Sequence, residues 1–359
     1  MTEEILSHFR IEGEPVSAES VLAGHINRTY HVVTDAGCEY TLQRISRVAF
    51  HHPEQLIANI SAVTEHLRRT APPEEEVLQL VPADGGRYFY VDPEGEYWRV
   101  YRYLSGGVCL NLPRTPQDFY QCALAFGRFQ ERLSDFPANQ LYETIPNFHN
   151  TVERFRTFRA VVARDKLGLA GRARREIDFA LEREEKAGGL IGLLRRGELP
   201  LRVTHNDTKL NNVLLDEKTG RARAVLDLDT VMPGLAVQDF GDAVRFGAST
   251  APEDERDLDK VTIDLGMFRT YTEGFLAACG RSLTPCEIDS LVMGAWSISL
   301  ELGTRFLGDY LEGDAYFASH RPGQNFDRAA AQFRLAAEIE RKWDALESIV
   351  RETASSMTA

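Results

Sequence analysis

The feature that most constrains this chain is residues 202–246, where two polar segments follow short apolar strands. The first segment has the sequence HND at residues 205–207, with Asn212 shortly after it. The second has the sequence DLD at residues 227–229 and follows the apolar run at 224–226. The residues between the two segments have the pattern of a β-hairpin. We therefore expect the strand ends to bring both polar segments into one site.

The residue types and their spacing fit the transfer of a phosphoryl group. That chemistry needs a carboxylate to accept the proton of the attacking hydroxyl and oxygen ligands to hold Mg²⁺ against the phosphates. Asp207 and Asn212 have the D-x-x-x-x-N spacing of a kinase catalytic loop, with the aspartate as base and the asparagine as magnesium ligand. Asp227, at the end of an apolar strand, is the expected second ligand. Lys209 is placed to reach the transferring phosphate, and His205 is expected to organise the loop by hydrogen bonding.

Each of these residues also has a purely structural interpretation. Asp207 and Asn212 belong to residue types that favour turns. Asp227 and Asp229 could cap the turn that precedes residues 232–234. Taken together, however, the ordered set H-x-D-x-K-x-x-N, a hairpin and a strand-end aspartate favours the catalytic interpretation. Asp229 stays a possible participant.

Two further acids, Asp239 and Asp242, occupy positions typical of helix caps and ion pairs. We interpret them as structural supports of the catalytic loop. Residues 239–241 spell DFG, the metal-binding motif of protein kinases. Because this match lies downstream of the strand-end aspartate, we treat it as a coincidence.

Composition argues against several classes of function. A formal net charge of −13 disfavours a nucleic-acid partner, because phosphate backbones are bound by clustered Lys and Arg. No apolar run approaches the ~20 residues that cross a bilayer, and the acidic N-terminus lacks the pattern of a signal peptide. Five scattered cysteines without paired CxxC spacing favour reduced thiols over a zinc site. We expect a cytoplasmic protein without a membrane partner, and nothing in the sequence demands more than a monomer.

The first part of the chain, residues 1–107, has the pattern of a mostly antiparallel sheet. The predicted elements are a hairpin with its turn at 24–27, a strand at 39–45, a helix at 53–69, and strands at 77–81, 88–91 and 97–104. Asp, Gly and Pro residues supply the turns between them.

The second part, residues 108–359, is predicted to be mostly helical. Thr115 and Pro116 have the cap and first-turn proline that begin a helix. Further helical patterns cover residues 152–170, 174–194 and about 257–351. The predicted fold class is therefore α+β, with a small antiparallel β-sheet lobe that carries one helix and a larger, mostly helical lobe.

Four motifs carry a resemblance to known proteins: VTHNDTKLNN, LDLDTVMPG, FGDAVRFGAST and RFLGDYLEGDAYF. With them the chain resembles the aminoglycoside phosphotransferase and choline kinase-like superfamily, and within it the bacterial N-acetylhexosamine 1-kinases. The likeness extends from Gly24 to about Phe317. It implies a two-lobed fold related to protein kinases, with Mg²⁺ and ATP. It also implies phosphorylation of the anomeric hydroxyl of N-acetylglucosamine or N-acetylgalactosamine.

The same resemblance implies where the nucleotide binds. The turn that contains Gly24, His25 and Asn27 would cover the phosphates, and the backbone of Tyr103 and Leu104 would contact adenine. With a single glycine, an ordinary hairpin is the alternative for that turn.

One position departs from the superfamily pattern. Gln43 stands where many members carry a strand lysine that pairs with a helix glutamate, and the following helix offers Asn59 and Ser61 instead. Loss of the pair as a unit leaves no lone buried charge behind. We expect Lys209 or Arg44 to supply the missing positive charge to the phosphates.

The acceptor should bind in the helical lobe. A neutral acetamido sugar needs a few directed hydrogen bonds and one aromatic wall, whereas choline or an aminoglycoside needs carboxylates and aromatic faces. Arg305 and Tyr316 are the candidate sugar contacts and Phe246 the candidate wall. The alternatives are an Arg305–Asp309 pair one helical turn apart and core positions for both aromatic residues. A kinase of another small alcohol (homoserine, choline or an aminoglycoside) and a nucleotide-binding pseudokinase remain open.

Overall fold

The N-terminal part is built on a five-stranded antiparallel sheet with the strand order β1-β2-β3-β5-β4. The computed structural model describes residues 2–21 and 26–357. The elements of this sheet region are α1 Thr2–Leu6, β1 Pro15–Val21, β2 Arg28–Thr34, β3 Glu39–Arg44, α2 Pro53–Thr70, β4 Tyr90–Val91 and β5 Tyr97–Arg102.

The two faces of the sheet have different partners, because successive side chains of a strand point to opposite sides. Tyr40 and Leu42 of β3 are buried in a cluster that includes residues of α1. Gln43 pairs with Arg99 of β5, and Tyr101 of the same strand packs against residues of the second half of the chain. We call the face with Gln43, Arg99 and Tyr101 the inner face.

One predicted strand is wrong. Residues 77–81 form no ladder: the isolated bridge of Leu80 with Tyr101, made by the Val81 N–H to the Val100 carbonyl and the Arg102 N–H to the Gln79 carbonyl, is their contact with β5. Instead, Glu76 bonds through its backbone N–H to the carbonyl of Arg223, at 2.8 Å, so this segment runs towards the second half of the chain. Its apolar residues still face the core, which explains why the sequence pattern was misleading. The hairpin also begins earlier than predicted, at Pro15.

The remaining elements form the helical region. Its short strands are β6 Gly107–Val108, β7 Arg202–Thr204, β8 Val213–Asp216, β9 Ala222–Val225 and β10 Met232–Gly234. Its helices are α3 Pro116–Arg132, α4 Thr151–Arg164, α5 Arg174–Leu181, α6 Glu184–Ala187, α7 Gly189–Arg195, α8 Ala236–Gly247, α9 Leu265–Cys279, α10 Pro285–Asp289, α11 Leu291–Glu312, α12 Gln324–Arg341 and α13 Trp343–Ser356.

Helix boundaries in this region follow local chemistry. The capping box of Thr115 with Asp118 begins α3, as predicted. The predicted helix at 152–170 ends early, because Asp165 adopts a left-handed conformation with φ 38°. The predicted helix at 174–194 is divided into three short helices, with Gly188 at the last break.

The core of the helical region is organised around α8 and α11. A Cβ on Gly294 of α11 would lie 1.9 Å from the carbonyl oxygen of Val237, and one on Gly241 of α8 would lie 2.4 Å from that of Gly294. Only glycine permits this close crossing, which sets the short distance between α8 and α11. Helix α8 in turn positions the loop that follows β7. In the described residues no helix is long and apolar enough to span a membrane.

Candidate active site

The catalytic loop, residues 205–212, begins where β7 ends and carries the predicted base. One carboxylate oxygen of Asp207, Oδ1, lies 2.8 Å from Lys209 Nζ. The other, Oδ2, accepts a hydrogen bond of 3.0 Å from Asn212 Nδ2, which also donates to the Asp207 carbonyl at 2.8 Å. The residues predicted for proton acceptance, phosphate contact and metal binding are therefore in direct contact.

Neighbouring charges keep Asp207 ionised. Burial raises its pKa, but the charge and hydrogen bond of Lys209 and the hydrogen bond of Asn212 together hold the pKa of Asp207 below its usual value. Burial lowers the pKa of Lys209, and the carboxylates of Asp207 and Asp242 raise it above its usual value. At neutral pH the pair is a carboxylate and an ammonium, so Asp207 is free to accept a proton.

Two aspartates of α8 hold the backbone of the catalytic loop. Asp239 accepts hydrogen bonds from the N–H groups of His205 at 2.8 Å and Asn206 at 2.7 Å. Asp242 accepts one from the N–H of Thr208 at 3.0 Å. Bonds of this charge-assisted kind are stronger than neutral ones. The prediction that Asp239 and Asp242 support the loop is confirmed.

His205 connects the catalytic loop to the metal loop, residues 226–230. Its Nε2 lies 2.8 Å from the carbonyl oxygen of Leu226, and the N–H of Asp207 donates to its Nδ1 at 3.3 Å. A ring nitrogen that accepts a hydrogen bond carries no proton, so this geometry assigns the neutral tautomer with the proton on Nε2. The histidine organises the loop, in agreement with its predicted role.

Asp227 adopts a left-handed conformation, with φ 53° and ψ 63°, at the start of the metal loop. Within the described chain its carboxylate has no hydrogen-bond donor from the protein. Desolvation and the negative charges of Asp229 and Asp207 raise the pKa of Asp227 to about 6. A bound cation would stabilise the ionised form of such an unpaired carboxylate.

The donor chemistry fits a magnesium ion that is held jointly with a nucleotide. Asn212 uses its Nδ2 for Asp207, which leaves its Oδ1 as an oxygen donor. The described residues contain no group of three or more His, Cys, Asp or Glu side chains arranged to hold a metal alone. Mg²⁺ binds through one or two protein oxygens plus phosphate oxygens and water, so two protein donors suffice.

A buried arginine lies beside Gln43 and was not predicted from the sequence. Arg99 faces Gln43 in the β3–β5 register and donates through Nε and Nη2 to Gln43 Oε1, at 3.0 and 2.8 Å. Its Nη1 lies 2.5 Å from Oδ1 of Asp229. The available signal was a single cation inside the aromatic and apolar run at 97–101.

Asn27 and Arg44 lie differently from what the sequence led us to expect. Asn27 donates through Nδ2 to Asp229 Oδ2 at 2.6 Å, so its amide contacts the metal loop. Arg44 lies on the face of β3 opposite Gln43, where its Nη1 is 3.5 Å from Oε1 of Glu96. This position does not support the phosphate contact that we expected of Arg44.

The other predicted nucleotide contacts are placed only in part. Gly24 and His25 lie outside the described residues. The N–H of Tyr103 donates to the carbonyl of Glu39 at 3.1 Å, so only the Tyr103 carbonyl is available for the predicted adenine contact. In the described structure the N–H of Leu104 has no protein acceptor. One donor and one acceptor are therefore available along this backbone.

Arg305, the predicted sugar contact, projects from α11 between two aromatic rings. Its guanidinium carbon lies 5.2 Å from the centroid of Phe148 and 5.4 Å from that of Phe317. The nearest acid is Glu301, at 3.9 Å, and no acceptor in the described residues lies within hydrogen-bond distance. With its side chain only 13% exposed, Arg305 offers unpaired donors in a sheltered position.

A histidine relay, also missed from sequence, joins this region to the catalytic loop. His149 lies with Nδ1 3.0 Å from Oε1 of Glu301 and with Nε2 3.2 Å from the carbonyl oxygen of Asn206. Glu301 is fully buried, and its Oε2 has no partner in the described residues. The contacts from Arg305 through Glu301 and His149 therefore end at the residue before Asp207. No local motif links these positions in the sequence.

Asp309 arranges the segment that carries Tyr316. It accepts hydrogen bonds from the three N–H groups of residues 315–317, at 3.0, 2.8 and 2.9 Å. The alternative Arg305–Asp309 pair is therefore wrong. Tyr316 is 69% exposed, which also contradicts a core position for it. Phe246 is half-buried on α8, and its role as a wall stays a prediction.

Comparison with known proteins assigns the chain to a family. The model of the phosphotransferase enzyme family matches residues 17–272, well over half of the 359 residues. The chain belongs to this family. The matched part of the phosphotransferase contains the catalytic loop, the metal loop and Arg99, whereas Arg305 and Tyr316 lie beyond it.

Solved structures similar to this phosphotransferase share its fold across nearly the whole chain. A microcompartment-associated aminopropanol kinase has a TM-score of 0.60 at 18% identity, covering 96% of this chain and 98% of that one. An aminoglycoside phosphotransferase from Alicyclobacillus acidocaldarius has 0.63 at 14% identity, covering 99% and 97%. An amicoumacin kinase in complex with AMP-PNP and Ca²⁺ has 0.61 at 13% identity, covering 95% and 96%. The two-lobed, kinase-like α+β fold predicted from the sequence is confirmed.

Proposed function

We propose that this phosphotransferase uses ATP and Mg²⁺ to phosphorylate the anomeric hydroxyl of N-acetylglucosamine or N-acetylgalactosamine. The observation that carries the proposal is the Arg305 guanidinium, which lies between two aromatic rings without a hydrogen-bond acceptor in the described residues. Glu301, 3.9 Å away, and His149 connect it to the catalytic loop. The resemblance of four sequence motifs to N-acetylhexosamine 1-kinases supports the same acceptor. The solved relatives named above are small-molecule kinases or phosphotransferases, one of them with AMP-PNP and Ca²⁺ bound, which agrees with a metal–nucleotide donor.

In the proposed reaction Asp207 orients the acceptor hydroxyl and accepts its proton. Its carboxylate is fixed from both sides, by Lys209 and by Asn212, so the remaining lone pairs have a defined direction. The pKa of Asp207 lies below its usual value, which makes it a weak base. That suits a loose transition state, in which positioning and charge neutralisation matter more than basicity.

Residues on either side of the base neutralise the negative charge of the phosphate oxygens in this proposal. Mg²⁺, bound with the nucleotide by Asn212 and Asp227, would offset the charge of the phosphate oxygens. Lys209 lies beside the base with a pKa above its usual value, so it stays charged and within reach of the transferred group. In this proposal Lys209 provides the cation of the phosphate clamp on the catalytic-loop side.

The charges near the acceptor position disfavour cationic substrates. Arg305 and Arg154 both lie near Glu301, at 3.9 and 4.0 Å, so two guanidinium groups share one carboxylate. Burial and the charge of Arg305 lower the pKa of Arg154. Choline, ethanolamine or an aminoglycoside would add a further positive charge, which like-charge repulsion opposes. A neutral acetamido sugar, by contrast, offers carbonyl and hydroxyl acceptors to these donors.

A coupled ADP-release assay over a panel of acceptors tests the proposal. The panel contains N-acetylglucosamine, N-acetylgalactosamine, homoserine, choline, ethanolamine, 1-amino-2-propanol and kanamycin, each with and without Mg²⁺. We expect Mg²⁺-dependent turnover with the two acetamido sugars at least tenfold above the amines. Turnover only with an amino alcohol or with homoserine would establish the rival small-alcohol kinase.

The remaining rival is a nucleotide-binding pseudokinase. A degenerate site is expected to lack at least one of Asp207, Asn212 and Asp227, yet all three are present and two are in contact. Nucleotide binding without ADP release for any acceptor would favour the pseudokinase.

A further inference from the structure

We propose that Arg99 and Asp229 form a pair that positions the metal loop against the inner face of the sheet, in place of the strand lysine and helix glutamate of related kinases. Arg99 is thus a positioning residue for Mg²⁺–nucleotide binding, and Asp229 is an anchor rather than a metal ligand. The inference rests on the proposed ATP- and Mg²⁺-dependent function and identifies how the cation site is held.

The geometry of the pair is that of a buried, specific contact. Arg99 is 1% exposed and Asp229 is 4% exposed. The distance between Nη1 and Oδ1 is 2.5 Å, and the two residues come from the sheet region and the metal loop. A buried charge without its partner is costly, so each of these residues requires the other.

Both ends of the pair are held by amide side chains. Gln43 accepts two hydrogen bonds from Arg99 and donates through Nε2 to Thr29 Oγ1 at 3.1 Å, which fixes the guanidinium plane. Asn27 donates to Asp229 Oδ2 at 2.6 Å and accepts from the N–H of Ser46 at 2.9 Å. An amide at position 43 is therefore a complement to the guanidinium rather than simply a lost lysine.

The pair also explains how two acids can stand two residues apart at one site. Asp229 is occupied by Arg99 and Asn27, whereas Asp227 has no protein donor in the described chain. The left-handed backbone of Asp227 sends the two carboxylates to different partners. Asp227 thus faces the cation position while Asp229 anchors the loop.

The network connects three segments whose relative positions determine how a metal-bound nucleotide is held. Asn27 is close in sequence to the predicted phosphate-covering turn, Arg99 and Gln43 belong to the inner face of the sheet, and Asp229 belongs to the metal loop. A protein whose metal loop is poorly positioned would still bind adenine but would bind the cation weakly. The expected signature is therefore a loss of Mg²⁺-dependent affinity with nucleotide affinity in EDTA preserved.

The test compares nucleotide affinity with and without the cation. The Kd of mant-ADP is measured by fluorescence in Mg²⁺ and in EDTA for wild type, for the double variant Arg99→Met/Asp229→Asn and for the isosteric variant Asp229→Asn. The double variant removes both charges, so it avoids the stranded buried charge that either Arg99→Met or Asp229→Asn alone leaves. Arg102→Met, on the same strand but paired with the exposed Glu12 at 2.6 Å, is the matched control.

We expect the gain in affinity that Mg²⁺ provides to fall by about tenfold in both Asp229 variants, while the Kd in EDTA stays within twofold of wild type. Arg99→Lys should recover only part of the gain, because an ammonium lacks the fork that contacts Gln43 and Asp229 together. Arg102→Met should behave as wild type. An unchanged Mg²⁺ gain in Asp229→Asn overturns the inference, even where the double variant does not fold. Absence of any Mg²⁺ gain in the wild-type protein overturns the proposed function together with it.

Discussion

The two sides of the catalytic loop differ in how completely their polar groups are paired. On the nucleotide side, Asp207, Asp239 and Asp229 each have protein partners at short distances. On the proposed acceptor side, the Arg305 guanidinium has two aromatic neighbours and Glu301 at 3.9 Å, but no hydrogen-bond acceptor in the described residues. The contrast holds although both sides are largely buried.

This difference separates residues that are positioned before a ligand binds from residues whose hydrogen-bonding groups are satisfied only by a ligand. A fully paired group is fixed before the substrate arrives, which is the condition for transition-state stabilisation by preorganised charge. An unpaired donor in a sheltered position is costly until a ligand satisfies it. We therefore infer that the proposed nucleotide side is preorganised and that the proposed acceptor side provides selectivity. Asp227 is the exception on the nucleotide side, as expected of a metal ligand.

The largest expected effect is that of Asp207→Asn. Without the carboxylate, kcat should fall by about 10²–10⁴-fold, the usual contribution of a positioned base. The Kd for mant-ADP and the thermal midpoint should stay close to wild type, because the amide keeps the size and part of the hydrogen bonding. Asp178→Asn, at a partly exposed acid on α5 that pairs with Arg174 far from the catalytic loop in sequence, is the control. Turnover within tenfold of wild type would remove Asp207 from the mechanism.

Asp239→Ala and Asp309→Ala compare the two sides directly, since both aspartates accept several backbone N–H groups. Asp239 is 1% exposed and supports the catalytic loop, so its loss should cost about 3 kcal/mol or more of unfolding free energy and most of the activity. Loss of Asp309 should mainly raise the acceptor KM. Urea unfolding and steady-state kinetics measure the two effects. Equal effects of both variants on nucleotide and acceptor KM would contradict the division into two sides.

Arg305→Met should act on the acceptor alone. A hydrogen bond from a charged donor contributes about 1.5–3 kcal/mol, so the acceptor KM should rise roughly 10–100-fold while the KM for ATP stays constant. The methionine retains the packing between the two rings. The control is Arg164→Met, whose guanidinium is 58% exposed. A parallel rise in the KM for ATP would place Arg305 on the nucleotide side.

Asp227→Asn should stabilise the protein when Mg²⁺ is absent. The pKa of Asp227 is raised from 3.8 to about 6, so its ionised form destabilises the folded state. That destabilisation is absent below pH 3.8, grows as the pH rises towards about 6, and is complete above it. The variant should thus show a higher thermal midpoint than wild type at pH 8 in EDTA, and the difference should vanish near pH 4. A midpoint lower than wild type at pH 8 would be inconsistent with an unpaired carboxylate.

The smallest effect is expected for Tyr316→Phe. The exposed hydroxyl competes with water, so its removal should change the acceptor KM by about five- to tenfold at most. A preference that shifts between the gluco and galacto epimers would identify this hydroxyl as the one that senses the sugar's stereochemistry. No change for either epimer would leave Arg305 as the principal sugar contact.

The sequence predicted the fold class and the local motifs because these depend on short-range patterns. Asp207, Lys209 and Asn212 share one loop, so their spacing alone determined that they meet. Arg99 meets Gln43 across 56 residues, through a strand register that no motif encodes.

Other predictions failed for identifiable physical reasons. Side chains alternate along β3, so Arg44 lies on the face opposite Gln43 and away from the expected phosphate contact. The apolar residues of 77–81 face the core, but the segment pairs with β5 over a single bridge and forms no strand. His149 and Glu301 are separated by 152 residues and joined only by packing of the helical region.

The measurement that tests the central proposal most directly is ³¹P and ¹³C NMR of the product formed from ATP and N-acetylglucosamine labelled with ¹³C at C1. We predict a sugar phosphate whose phosphorus is coupled to the labelled C1. Phosphorus coupled to another carbon, or release of inorganic phosphate with the sugar unchanged, would contradict the assignment of this phosphotransferase as an N-acetylhexosamine 1-kinase.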